Sequence, residues 1–226
     1  MAIFNQEAKN YDQWYETRIG HYADRVETEC AFRLFPIEPH MRVLDVGCGT
    51  GNFSIKCAHK GALVTGIDIS ENMLTIARKK ARQEKVKVEF KQMNCQDLQF
   101  PEHFFDSVLS MATIEFITEP RKMIAEMFRV CKKGGSILVG TINRESDWGQ
   151  LYQDPVFQEK VPVFRYAHFK TAKDLMSFKK DAFIAVRECL FLPPDIAESE
   201  ISPEKENELS SRNHGGFFCV LWKKKD

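Results

Sequence analysis

Arg42-Val43-Leu44-Asp45-Val46-Gly47-Cys48-Gly49-Thr50-Gly51-Asn52 is the stretch from which the architecture can be read. Val43, Leu44 and Val46 form a short apolar run ending in glycines, the pattern of a strand buried on both faces of a parallel sheet. Gly47, Gly49 and Gly51 let the backbone turn and a ligand come close, because no Cβ stands in the way. Residues 53–59 then read as a helix. A strand, a glycine loop and a helix in succession mark the edge of an open α/β sheet where nucleotides bind.

Spacing separates two ligand classes for that loop. A dinucleotide fingerprint runs G-x-G-x-x-G and sets a pyrophosphate on the helix N-terminus. Here the glycines fall at 47, 49 and 51, and the place of the third dinucleotide glycine is Asn52. Asp45, an acid inside the strand, repels a phosphate and attracts a cation. The two facts together predict a ligand with a positive charge and an adenosine but no phosphate. Asp68 ends a second buried strand 21 residues past Gly47, the offset at which an acid takes ribose hydroxyls. Asn94 and Cys95 follow a third strand at 87–90, on the sheet edge where an adenine would lie.

The alternation continues to residue 142. Ser70 is an N-cap for a helix over 71–83, a fourth strand covers 105–111, a helix 121–131 and a fifth strand 136–142, with Gly134-Gly135 as the turn into it. Repeated βα units predict a doubly wound α/β fold with a parallel sheet and helices on both faces. Strands at 183–192 and 216–222, separated by a polar run at 193–215 that reads as mobile, complete a seven-stranded sheet with an antiparallel last strand. The whole of 1–226 is expected to be one domain, opened by helices over 11–35 with a break at Gly20.

The ordered segments Asp45 to Gly51, Gly66-Ile67-Asp68-Ile69-Ser70, Phe104-Phe105-Asp106-Ser107-Val108 and Lys132-Lys133-Gly134-Gly135 resemble the motifs of class I S-adenosylmethionine-dependent methyltransferases. The branch they most resemble is that of small-molecule enzymes, including the quinone-biosynthesis methyltransferases. The resemblance implies a Rossmann-like fold and S-adenosyl-L-methionine as cofactor. It assigns the cofactor's surroundings to Asp45, Gly47, Cys48, Gly49, Gly51, Asp68, Ile69, Asn94 and Cys95, with Ser110 and Met111 beside its amino-acid part. Many relatives carry aspartate where Asn94 stands, although an amide oxygen can still accept a hydrogen bond from an adenine amine. The resemblance also implies an N-terminal lid over 1–35, which makes Tyr11 and Trp14 either pocket wall or plain core packing.

Residues 143–170 are too long for an ordinary connection and too aromatic for a linker, so they read as a substrate cover, with Trp148 and Tyr152 facing the acceptor. A catalytic group is harder to name. Tyr11, Glu115 and His168 are the candidates, with Glu115 more readily a cap of the next helix and His168 more readily a surface group. Lys+Arg and Asp+Glu number 32 each, which argues against a general nucleic-acid or membrane-surface binder and, less strongly, against a macromolecular acceptor. No apolar run approaches the roughly 20 residues of a membrane span, and no signal-peptide pattern opens the chain, so a soluble cytoplasmic protein is expected. The seven cysteines show no C-x-x-C pair, which predicts reduced thiols and no metal site. The expected function is methyl transfer from S-adenosylmethionine to a small molecule. A non-catalytic binding module on the same fold and a nicotinamide oxidoreductase remain as alternatives, the latter opposed by Asp45 and Asn52.

Overall fold

The computed structural model describes residues 12–225. Seven strands form one sheet: β1 (Arg42–Val46), β2 (Leu63–Asp68), β3 (Val88–Gln92), β4 (Phe105–Met111), β5 (Cys131–Ile142), β6 (Phe183–Cys189) and β7 (Phe217–Lys223). Their order is β3-β2-β1-β4-β5-β7-β6. All neighbours run parallel except β7, which is antiparallel to both β5 and β6. The strand order reverses between β1 and β4, and a crevice opens outside the carboxyl ends of strands at such a point.

Alternate residues of the central strands enter two different cores, which is why their sequences are apolar throughout. Val43 and Leu109 pack with Tyr22, Ala23 and Phe35 on one face, while Leu44 and Val108 pack with Met123, Ile124 and Met127 on the other. The helices on these faces are α1 (Gln13–Glu16), α2 (Arg18–Leu34), α3 (Asn52–His59), α4 (Glu71–Gln83) and α5 (Pro120–Val130). On α4 the Ser70 hydroxyl accepts from the Met73 N–H at 3.3 Å, and Met73, Leu74, Ala77 and Ala81 supply the buried stripe.

Several local expectations are corrected. The break between the first helices falls at Thr17, whose hydroxyl caps α2, whereas Gly20 lies inside α2, where a Cβ would stand 2.0 Å from the Trp14 carbonyl oxygen. Gly134 and Gly135 lie within β5, in an irregularity where its pairing jumps from Phe105↔Cys131 to Ser107↔Ser136. The polar run at 193–215 holds a helix, α9 (Pro203–Leu209), capped by Ser202. Glu206 on α9 accepts from the Phe191 and Leu192 N–H groups at 2.8 and 2.9 Å, tying the run to the end of β6.

Residues 143–170 fold as α6 (Asp147–Gln153), α7 (Pro155–Lys160) and the 3₁₀ turn Pro162–Tyr166. Their two ends meet: Asn143 and Lys170 form a parallel bridge, and the Arg144 N–H donates to the Lys170 carbonyl at 3.0 Å. Helix α8 (Ala172–Met176) follows with a capping box of Thr171 and Asp174, and a 3₁₀ turn takes over at Ser177. All seven cysteines are free.

Candidate active site

The carboxyl ends of β1, β2 and β4 hold the first cavity. Of the residues assigned to the cofactor, Asp45, Gly47, Cys48, Gly49, Asp68, Ile69, Asn94, Cys95 and Met111 all line it. Two residues of the expected set do not. The Ser110 hydroxyl is fully buried and donates to the Val46 carbonyl at 2.7 Å, so it braces β4 against β1. Gly51 is the N-cap of α3, where a Cβ would stand 3.0 Å from that of Ala77; its smallness serves the packing of α3 on α4. Thr113, Asn52, Met73 and Met93 line the cavity without having been foreseen.

The bonding of the glycine loop decides what it can hold. The Gly47 and Cys48 N–H groups donate to the Ile67 carbonyl at 2.8 and 2.9 Å, Gly51 donates to the Cys48 carbonyl at 2.8 Å, and Gly49 donates to the Asp68 carboxylate at 2.9 Å. A phosphate cradle works by presenting such N–H groups open to the ligand. Here they are already bonded within the chain. Among the described residues, no lysine, arginine or histidine lines the cavity, whereas Asp45, Asp68 and Glu27 do. The donor set fits a cationic nucleoside and opposes a pyrophosphate.

Burial raises the pKa values of both aspartates. Asp45 is 1% exposed, and burial, helped by the nearby Asp68 charge, pushes its carboxyl up to about 7 against a hydrogen bond from the Ser54 hydroxyl at 2.6 Å. Asp68 is also raised by burial, opposed by the N–H groups of Ser70 and Gly49. A cation arriving between them favours their charged forms and is held in return. The Asn94 amide oxygen accepts from the Gln96 N–H at 2.9 Å, which fixes the side chain at the cavity rim.

A second cavity of about 310 Å³ adjoins the first and shares Tyr15, Glu27, Ala112 and Phe116 with it. Trp14, Trp148 and Tyr152, the acceptor-facing candidates, line it; Tyr11 lies outside the described residues. Tyr152 stacks on Phe164 with ring centroids 4.2 Å apart, and Trp14 meets Trp148 edge-on at 6.2 Å, so α1 and α6 touch beside the cavity. The Asp12 carboxylate, accepting from Thr50 at 2.8 Å and Lys80 at 2.9 Å, ties the residue just before α1 to the glycine loop.

The candidate catalytic residues separate. His168 is exposed and lines a shallow surface groove with Arg144 and Lys170, away from both cavities; only its backbone N–H contributes, donating to the Glu115 carbonyl at 2.6 Å. Glu115 caps no helix. It lies in the 3₁₀ turn Ile114–Phe116, fully buried, and lines the second cavity. Its Oε2 accepts from the Thr141 hydroxyl at 3.0 Å, while Oε1 has no partner among the described residues. Glu27 was not foreseen at all. On α2 it stands among charged neighbours and reads as a solvated face.

Burial pushes the Glu115 carboxyl from its ordinary 4.5 up to about 7, with Lys170 pulling weakly the other way. The folded chain therefore holds this proton at pH values where the unfolded chain releases it. That contribution to stability is complete below about pH 4.5 and is lost as pH rises through about 7. Glu115→Gln removes the dependence. Its melting temperature should gain on that of the parent protein across this window, and a difference constant with pH would show that Glu115 does not titrate there.

Residues 44–139 match the family described as a methyltransferase domain. An uncharacterized protein of Methanocaldococcus jannaschii is 33% identical over 80% of this chain and 80% of its own. A Thermotoga maritima crystal structure described as a SAM-dependent methyltransferase, possible histamine N-methyltransferase, is 26% identical, covers 99% of both chains and superposes with a TM-score of 0.75. The chain belongs to the family of S-adenosylmethionine-dependent methyltransferases. The methyltransferase is also 36% identical over 105 residues to a ubiquinone biosynthesis O-methyltransferase of Coxiella burnetii, a match taking in 45% of this chain and 44% of that one. The methyltransferase is thus a class I enzyme resembling those of quinone biosynthesis, and the nicotinamide alternative falls. Among the described residues, no helix is long and apolar enough to cross a membrane.

Proposed function

We propose that the acceptor is a small molecule held in the aromatic cavity. The observation that carries this is the junction of the two cavities through Tyr15, Glu27, Ala112 and Phe116, which gives an acceptor a walled route to the donor. In this reading Asp68 takes the ribose hydroxyls, Asn94 and Cys95 border the adenine, and Asp45, Gly47, Gly49 and Met111 surround the charged end of the cofactor. Bound S-adenosylmethionine supplies a methyl group made electrophilic by its sulfonium. The chain's own part is to align a nucleophile and exclude water. Trp14 and residues 143–170 do the latter as a cover over the acceptor, and the edge contact of Trp14 with Trp148 supports that role.

A non-catalytic binding module would need no second cavity beneath residues 143–170, so the cavity favours an enzyme. A macromolecular acceptor would call for an open docking surface. The Thermotoga and Coxiella relatives are described by acceptors of metabolite size, in keeping with the proposal. Screening fractions of a cell extract for S-adenosylhomocysteine formation tests it. Turnover should reside in the low-molecular-weight fraction, and hydrogen exchange over 143–170 should slow when that acceptor and the cofactor are both bound. Turnover confined to protein or nucleic-acid fractions would end the small-molecule reading.

A further inference from the structure

Apart from the tyrosines Tyr15 and Tyr152, the aromatic cavity is lined by apolar residues and two acids. Glu27 and Glu115 are its only charged lining residues among those described, and no cationic side chain lines it with them. The surroundings do not neutralise them. Glu27 feels Asp24 and Glu115 as like charges and Lys56 as the opposing one, but Lys56 already pairs with Asp24 and bonds Thr28. Glu115 is drawn down only weakly by Lys170, which belongs to the outer groove.

A fully buried carboxylate oxygen with no partner costs stability unless something else completes it. The Glu115 Oε1 is such an atom, at the edge of a cavity walled by Trp148, Tyr152 and Phe164. Aromatic faces attract cations and reject anions, so rings and acids select in the same direction.

We propose that the acceptor is an amine, bound as its ammonium ion against Glu27 and Glu115 with an apolar or aromatic body among the rings, and that its nitrogen is the atom methylated. The assignment rests on the reading of this cavity as the acceptor site. Glu27 lines both cavities, so it borders the place where acceptor and donor meet. The ammonium gives one proton to the Glu27 carboxylate. The lone pair so freed forms the new N–C bond while the methyl–sulfur bond breaks with its electron pair left on sulfur. The product leaves as a methylated ammonium, and Glu27 returns the proton to water. Burial and the charge of Asp24 lift the Glu27 carboxyl to about 8, within the range a general base for an amine requires. Glu115 supplies the second acceptor for the ammonium or for another donor on the same molecule.

Binding tests this without turnover. The full-length protein saturated with S-adenosylhomocysteine is titrated with 2-phenylethylamine, its neutral counterpart 2-phenylethanol and the anion 3-phenylpropanoate, following tryptophan fluorescence from Trp14 and Trp148 and calorimetric heat. The amine should bind at least about tenfold more tightly than the alcohol, and the anion more weakly still. Glu27→Gln and Glu115→Gln, each verified as folded by its melting transition, should each reduce that preference to about threefold or less. Alcohol or anion binding as tightly as amine, or variants that keep the preference, would overturn the amine assignment while leaving a small-molecule acceptor in this cavity. Binding of S-adenosylhomocysteine with no response to any of the three probes would overturn the reading of the cavity itself.

Discussion

Replacing residues 143–170 by a short Gly-Ser loop should reduce methyl transfer by more than about 1000-fold while changing cofactor affinity by less than about threefold. The segment supplies Trp148, Tyr152, Phe157 and Phe164 to the second, aromatic cavity, where we place the acceptor, and nothing to the first. Its ends already meet at the Asn143–Lys170 bridge, so a short loop can span them without disturbing β5. Trp148 is 4% exposed and donates to the Leu192 carbonyl at 2.8 Å, so some stability goes with it. Loss of a buried tryptophan costs about 3–5 kcal/mol, and the shortened protein is best assayed at low temperature. Calorimetry with S-adenosylhomocysteine separates the effects. Normal turnover by the shortened protein would place the acceptor elsewhere.

Two glycines in one loop should fail in opposite ways. Gly47 has φ +72°, and a Cβ there would stand 2.2 Å from Thr113 Cγ2, in the contact where the Thr113 hydroxyl bonds the Gly47 carbonyl at 3.0 Å. Gly47→Ala combines left-handed strain of about 1–2 kcal/mol with overpacking of about 1–3. For a domain of this size that is a fall in melting temperature of about 5–15 °C. Gly49 has φ +52° and open space within 4 Å of its would-be Cβ, and it lines the first cavity. Gly49→Val should therefore fold, with a strain cost of about 1–3 kcal/mol, and lose the stabilisation by S-adenosylmethionine. At a ligand concentration a hundredfold above Kd that stabilisation is about 2.7 kcal/mol. A Gly49→Val protein still stabilised by the cofactor would remove the loop from the donor site.

The contrast between these glycines marks where reading the sequence stops. Strand, loop and helix around Asp45 were legible because burial on both faces writes a continuous apolar run and a tight turn writes glycine. The start of α4 follows from the Ser70 cap. Spacing could not divide the glycines between ligand and packing, because that depends on what stands opposite: Thr113 for Gly47, Ala77 for Gly51, open space for Gly49. Glu27 was illegible for the same reason, since a helix surrounded by other elements has no face that its own residues identify as lining a cavity. Helix α9 did leave a mark, a Ser-Pro-Glu start, but without an apolar stripe it read as mobile; its anchor is the carboxylate of Glu206. His168 has the chemistry of a proton carrier, but only its backbone N–H reaches toward the cavities, bonding the Glu115 carbonyl.

The glycine loop holds its shape by its own bonds, to Ile67 and Asp68, before any ligand arrives. Little ordering of the loop remains to be done on binding, whichever molecule arrives. S-adenosylmethionine and the S-adenosylhomocysteine left after transfer share a frame, differing by one methyl group and the charge on sulfur. In the proposed arrangement the charge is what the acids lining the cavity, Asp45 and Asp68, can tell apart. The enzyme is accordingly expected to suffer product inhibition, the more so at low pH where Asp45 is neutral, and its rate in a cell would follow how fast another enzyme removes S-adenosylhomocysteine.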